Sequence, residues 1–150
     1  MQLITINKKN RYFDEFVKLN FEWWGERKGF TYQDFEKHYL DSFNEKLPKL
    51  RALIINDTLI GFYEIKEKDY IDDEDYTPYL ANVYVKEEYR KRGYSTILIN
   101  DSIKYAKELG YKDLYLHSRI KDYYEKYNFE FIKEVKTKYG NKRIFKYKGK

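Results

Sequence analysis

The segment Val85-Lys86-Glu87-Glu88-Tyr89-Arg90-Lys91-Arg92-Gly93-Tyr94-Ser95-Thr96 constrains the fold more than any other, because it joins an apolar strand directly to the start of a regular helix. Upstream, Pro78 to Lys86 alternates, with Ala81, Val83 and Val85 on one face and Leu80, Asn82 and Tyr84 on the other. Downstream, Ser95 to Leu109 places Ile99, Ile103 and Ala106 at helical spacing, and Gly110 follows as a C′ residue. Such a junction is an anion site by construction. The first helical amides have no intrahelical acceptors and carry the positive end of the helix dipole, so a phosphate can take their hydrogen bonds. Gly93 permits close backbone approach or a positive φ, Ser95 is small and can hydrogen-bond, and Arg90, Lys91 and Arg92 add cationic side chains. Taken alone, a basic turn of this kind is more often a solvated loop ahead of a helix cap.

The rest of the chain reads as strands and helices in alternating blocks. Gln2 to Ile6 has strand alternation, and helical stretches follow over Tyr12 to Trp24 and Thr31 to Asn44, with Thr31 as N-cap. Arg51 to Asn56 and Leu59 to Lys66 are β-branched runs around a tight Asn56-Asp57-Thr58 turn. After the acidic run Asp72-Asp73-Glu74-Asp75 and the strand and helix described above come a strand over Asp113 to His117 and a short helix over Lys121 to Tyr127. A closing hairpin, Phe129 to Lys136 with Arg143 to Lys148, turns through Gly140-Asn141. No repeat, linker or low-complexity tract divides the chain, so residues 1–150 are expected to form one domain.

Composition narrows the chemistry. With no cysteine there is no disulfide framework, no thiolate nucleophile and no cysteine-based metal site. No apolar run approaches the roughly 18 residues needed to span a bilayer, and MQLITINKKN lacks a signal-peptide core, so a cytoplasmic protein without a membrane partner is expected. The net charge of +5 suits an anionic partner without choosing among a nucleotide cofactor, nucleic acid and a membrane surface.

Arg90-Lys91-Arg92-Gly93-Tyr94-Ser95 resembles the R/Q-x-x-G-x-G/A signature of the GNAT superfamily of N-acetyltransferases. Tyr123-Tyr124-Glu125-Lys126-Tyr127-Asn128-Phe129 resembles that family's F-Y-E-K-x-G-F motif. Together the two motifs extend the resemblance from about Leu53 onward. A narrower likeness, carried by Asp75 to Ala81, Leu114-Tyr115-Leu116 and Glu22-Trp23-Trp24, is to a poorly characterised bacterial branch. Ser95 stands where Gly or Ala is usual and Asn128 where Gly is usual; Asn tolerates the left-handed conformation of a helix C′ position.

The resemblance implies an α/β (α+β) fold: a mixed, mostly antiparallel central sheet of about seven strands, splayed between strands 4 and 5 and flanked by about four helices. It implies acetyl-CoA as co-substrate. Main-chain groups of Val83, Tyr84 and Val85 would take the pantetheine arm, and Arg90, Lys91, Arg92, Gly93, Tyr94, Ser95 and Thr96 the pyrophosphate. Tyr124 resembles the family's general acid, which protonates the departing coenzyme A thiolate; a phenol stays protonated at neutral pH. The acetyl group would pass to a primary amine by direct attack in a ternary complex, which needs a base for the amine proton. The strand Leu80-Ala81-Asn82-Val83 has no carboxylate, so Asp75 is the first choice as base, with His117 as an alternative proton relay. Trp23 and Trp24 lie where this fold places its acceptor loop. Dimers are frequent in the family, so a homodimer is in keeping with it.

Two other readings compete. The basic, aromatic C-terminal hairpin, with Tyr139, Phe145 and Tyr147 among lysines, would suit a nucleic-acid-binding module, although exposed lysines also guard sheet edges against aggregation. A family member that binds coenzyme A without catalysis is the other; an intact Tyr124 argues against it.

Overall fold

In the computed structural model, which describes residues 1–69, 76–120 and 122–149, seven strands and three α-helices follow one another along the chain. The strands are β1 (Gln2–Ile6), β2 (Lys49–Ile55), β3 (Thr58–Lys66), β4 (Tyr79–Val85), β5 (Tyr115–Ser118), β6 (Phe129–Thr137) and β7 (Gly140–Tyr147). The helices are α1 (Phe13–Asn20), α2 (Tyr32–Ser42) and α3 (Tyr94–Glu108). One sheet results, in the order β1-β2-β3-β4-β5-β7-β6. Every neighbouring pair is antiparallel except β4 and β5, which run parallel because α3 carries the chain across between them. That parallel pair is joined in register only at Tyr79 and Tyr115, and beyond this point the two strands part.

A bulge in β4 contributes to the opening. Glu64 of β3 faces Ala81 and Phe62 faces Tyr84, so β4 carries an extra residue, and Asn82 takes up the surplus at φ 54°. Asn is among the few non-glycine residues that reach positive φ at modest cost. The bulge changes the phase of the strand. Simple alternation puts Ala81 with Val83 and Val85, whereas Leu80, Val83 and Val85 pack into one cluster and Tyr84 into the other.

The sheet separates two cores. Under α3 lie Tyr63, Ile65, Leu80, Leu98, Ile99, Leu116, Phe129 and Phe145; under α1 and α2 lie Phe13, Phe16, Phe35, Tyr39, Ala52 and Phe62. A polar cluster crosses the layer under α3. Arg51 Nε and Nη2 each donate at 3.1 Å to the two carboxylate oxygens of Asp101 on α3, and Tyr63 donates to the same carboxylate at 2.6 Å. This ties α3 to β2 and β3 and fixes where the N-terminus of α3 points.

Local rules place most boundaries. Thr31 caps α2, its Oγ1 accepting from the amide of Asp34 at 3.1 Å. Asn56 and Asp57, both at positive φ, make the two-residue turn between β2 and β3. Asn128 holds φ 72° ahead of β6.

The larger departures from the sequence reading are in the helices and the last turn. The first helix stops at Asn20 and continues as a π-helical turn, Phe21–Gly25. Of the helix expected over Lys121 to Tyr127, the described residues form a single 3₁₀ turn, Tyr124–Tyr127; Lys121 lies outside them. The last hairpin turns at Lys138 and Tyr139, because Gly140 already pairs with Thr137. Besides α1 to α3 the described residues contain only that π-helical turn and short 3₁₀ turns, where about four helices were expected. Among the described residues, no helix is long and apolar enough to cross a membrane.

Candidate active site

Where β4 leaves β5, its edge and the start of α3 enclose a groove of about 450 Å³. Val83, Tyr84, Val85, Arg90, Lys91, Gly93, Tyr94 and Ser95 line it, each a residue the sequence assigns to cofactor binding, with Trp23 and Tyr89 completing the walls. The loop turns at two left-handed residues, Lys91 at φ 64° and Gly93 at φ 83°. Gly93 is the N-cap of α3, and no side chain caps that end, so its leading amides are left for a ligand. A Cβ at Gly93 would meet nothing within 4 Å; the backbone angle, rather than crowding, is what calls for glycine.

Arg90 is tethered: its Nε donates to the Val85 carbonyl at 2.7 Å, and its guanidinium lies 5.5 Å from the Tyr84 ring centroid. Arg92 and Thr96 do not line the groove. Arg92 lies against Tyr89, and the Thr96 hydroxyl is 2.7 Å from that of Tyr127. Ser95 Oγ is 3.4 Å from the Tyr123 hydroxyl, which places the 3₁₀ turn bearing Tyr124 beside the start of α3.

A second cavity, about 370 Å³, occupies the gap between the parted strands. It brings together Trp23, Val83, His117 and Tyr124, four positions far apart in sequence. Tyr124 packs edge-on to Tyr123 at 4.9 Å and lies 6.0 Å from Phe145. Burial pushes its phenol up to about 12, with Tyr123 and Tyr127 adding to the rise, so it remains a neutral hydrogen-bond donor throughout the physiological range. His117 meets a partner that is not legible in the sequence: Nε2 lies 2.9 Å from Asp69 Oδ2, a close contact without the alignment of a linear hydrogen bond. Asp69 is only 8% exposed, yet its carboxyl titrates below the usual value. Burial alone would raise it; His117 and Lys66, whose Nζ is 3.6 Å from Oδ1, more than offset that. Asp75, the base favoured from sequence, and its neighbours Asp72, Asp73 and Glu74 lie outside the described residues.

The tandem tryptophans separate. Trp23 is 36% exposed, packs 5.0 Å from Tyr84 and lines both cavities. Trp24 turns inward against Phe35 and Phe30, its Nε1 donating to Asn20 at 3.2 Å, and only borders a third, adjoining pocket. Both tryptophans sit on the π-helical turn Phe21–Gly25. Beneath the bulge, Glu64 is fully buried, its Oε2 accepting from Tyr39 at 2.9 Å and from Asn82 at 2.6 Å. Burial raises its pKa despite those bonds and the nearby Lys66. Among the described residues no cluster of His, Asp and Glu could hold a metal ion.

Residues 12–129 match the family model of the acetyltransferase (GNAT) family. No curated protein sequence matches the chain. Solved structures share its fold. A chimera of the Vibrio cholerae spermidine N-acetyltransferase SpeG with hSSAT is 18% identical, covers 97% of this chain and 94% of its own, and superposes with a TM-score of 0.76. An aminoglycoside 6'-N-acetyltransferase complexed with coenzyme A is 16% identical over 97% of this chain and 96% of its own, with a TM-score of 0.74. A GNAT family acetyltransferase from Elizabethkingia anophelis with acetyl-CoA bound is 20% identical over 75% of this chain and 80% of its own, at 0.59.

Proposed function

The chain belongs to the GNAT acetyltransferase family, and from that premise we propose that it acts as one catalytic domain that moves the acetyl group of acetyl-CoA onto a primary amine by direct attack in a ternary complex. The observation that carries this reading is the continuity of the two cavities along β4. Trp23 and Val83 line both, so a cofactor laid along the β4 edge with its pyrophosphate at Gly93 to Ser95 has its thioester end in the gap that holds His117 and Tyr124. Solved relatives of the fold carry coenzyme A or acetyl-CoA.

The groove residues divide the cofactor between them. Main-chain groups along the β4 segment Val83, Tyr84 and Val85 pair with the pantetheine amides as an added strand would. The leading amides of α3 hold the pyrophosphate, with Arg90 and Lys91 as counter-charges.

The reaction then needs two proton movements. The neutral amine attacks the thioester carbonyl carbon, a C–N bond forms and the C–S bond breaks. His117 takes the proton the nitrogen loses, and Asp69 supplies the counter-charge to the imidazolium. Tyr124 donates a hydrogen bond to the sulfur as its negative charge develops. A phenol held near 12 is a weaker acid than a free thiol of about 8.5. Its contribution is therefore stabilisation of the charge in the transition state: coenzyme A leaves as a thiolate hydrogen-bonded to Tyr124 and takes its proton from solvent, and the imidazolium of His117 returns the amine's proton to solvent. No covalent enzyme intermediate is needed, in keeping with a chain that has no cysteine.

A screen of primary amines for acetyl-CoA-dependent thiol release tests the proposal. Release above the rate of cofactor hydrolysis with at least one amine is expected, and its absence across small amines, peptides and polyamines would contradict it.

A further inference from the structure

Tyr124 stands on a single 3₁₀ turn, Tyr124–Tyr127, none of whose residues is fully buried, and the turn ends at once on left-handed Asn128. Its ring packs on Tyr123 at 4.9 Å, Phe145 at 6.0 Å and Phe129 at 6.4 Å. Among the described residues its hydroxyl has no hydrogen-bond partner, so where that hydroxyl sits in the gap is inherited from the turn. The turn is fastened to α3 on both sides of Tyr124. Tyr123, just before it, has its hydroxyl 3.4 Å from that of Ser95, and Tyr127, its last residue, has its hydroxyl 2.7 Å from that of Thr96. Counted from the N-cap Gly93, Ser95 and Thr96 are the second and third residues of α3, whose amides are among those without intrahelical acceptors. The same dipeptide therefore presents amides for the pyrophosphate and hydroxyls for the turn that carries Tyr124.

We propose that Thr96 and Tyr127, with Ser95 and Tyr123 as the longer second link, are positioning residues: their hydroxyl contacts set the Tyr124 hydroxyl at the sulfur of a cofactor whose pyrophosphate is held at the start of α3. The inference rests on the acetyl-transfer reading and adds to it the groups that place Tyr124. Breaking the Thr96 link frees the end of a one-turn element, and the Tyr124 donor drifts out of line with the sulfur. The pyrophosphate keeps its hold, because main-chain amides supply it and side-chain hydroxyls supply the link.

Calorimetric titration of coenzyme A and of desulfo-coenzyme A, which lacks the thiol, reads this donor without an acceptor amine. A thiol of ordinary pKa, about 8.5, ionises between pH 6.5 and pH 9, so the relative affinity of the two ligands over that range reports the hydrogen bond from Tyr124 to the thiolate. Tyr124→Phe is expected to lower the preference for coenzyme A at pH 9 about tenfold or more, the scale of a charge-assisted hydrogen bond. Tyr127→Phe and Thr96→Val should each lower it about threefold or more, while Thr96→Ser, which keeps the hydroxyl, stays at the parental value. Neither should lower it further in a Tyr124→Phe background, and desulfo-coenzyme A should bind all these proteins alike. The inference is overturned if Tyr127→Phe and Thr96→Val keep the parental preference, if they lower it equally without the Tyr124 hydroxyl, or if they weaken desulfo-coenzyme A as much as coenzyme A. An unchanged preference in Tyr124→Phe takes Tyr124 away from the sulfur and overturns it too, with coenzyme A binding intact. A parent that binds neither ligand contradicts the acetyl-transfer reading itself, and the inference falls with it.

Discussion

The imidazole of His117 on β5 lies 2.9 Å from the carboxylate of Asp69, three residues beyond the end of β3, so the gap between β4 and β5 contains a base candidate with its own counter-charge. His117→Ala is expected to lower kcat by about 10²- to 10⁴-fold, the range of a general base, with little change in cofactor affinity. Asp69→Asn should give a smaller loss, because the imidazolium formed in the reaction loses its carboxylate counter-charge. Steady-state kinetics from pH 5 to 9 on all three proteins would decide it; a His117→Ala enzyme with parental kcat would return the role to groups such as Asp75.

Tyr124→Phe removes one hydroxyl and keeps the ring contacts with Tyr123 and Phe145. Turnover is expected to fall about 10²- to 10³-fold, as when a transition-state hydrogen-bond donor is lost, while cofactor affinity and melting temperature hold. The parent should also keep its rate above pH 10, since the phenol is pushed up to about 12. A variant retaining more than about half the parental kcat would exclude this role.

Gly93→Val places a β-branched residue at φ 83°, where the cost is backbone strain on the order of 1–3 kcal/mol rather than a clash. The loop should relax away from its left-handed turn and spoil the pyrophosphate site. Acetyl-CoA affinity is expected to drop at least about tenfold, with Gly93→Ala in between. Calorimetry on the three proteins checks the order, and an unchanged dissociation constant for Gly93→Val would displace the pyrophosphate from this loop.

The readable parts of the molecule were those set by local chemistry. Gly93, Thr31, Asn56-Asp57 and Asn128 each declare a turn or cap through their own backbone preferences, and each sits where those preferences put it. The groove followed because strand, loop and helix are contiguous along the chain. What could not be read depends on contacts across the sheet. Asp69 looks like one more loop acid until β5 brings His117 to it. The bulge at Asn82 is invisible to an alternation rule, since the extra residue is defined only by the pairing of Glu64 and Phe62 on β3. The different surroundings of Trp23 against Tyr84 and Trp24 against Phe35 depend on partners distant in sequence, and the π-helical turn that carries them is not anticipated by hydrophobic periodicity at ordinary helical pitch.

Glu64 gives a pH signature of folding. Its pKa is raised above 4.5 by complete burial, so above that pH the folded state keeps a proton the unfolded chain has lost. Stability linked to this group is therefore full below pH 4.5 and declines as pH rises through the raised folded value. Glu64→Gln keeps an oxygen to accept from Tyr39 and Asn82 and cannot ionise. Melting temperatures of the variant relative to the parent should climb as pH goes from 4 to 8; parallel curves would mean that Glu64 titrates normally.

Binding of acetyl-CoA to the unmodified protein bears most directly on the whole account, because the groove along β4 and α3 has no purpose in it other than to hold that cofactor. Isothermal titration is expected to show one site per chain, with a melting temperature that rises with cofactor concentration as binding to the folded state requires. No heat of binding and no thermal shift at millimolar acetyl-CoA would contradict it.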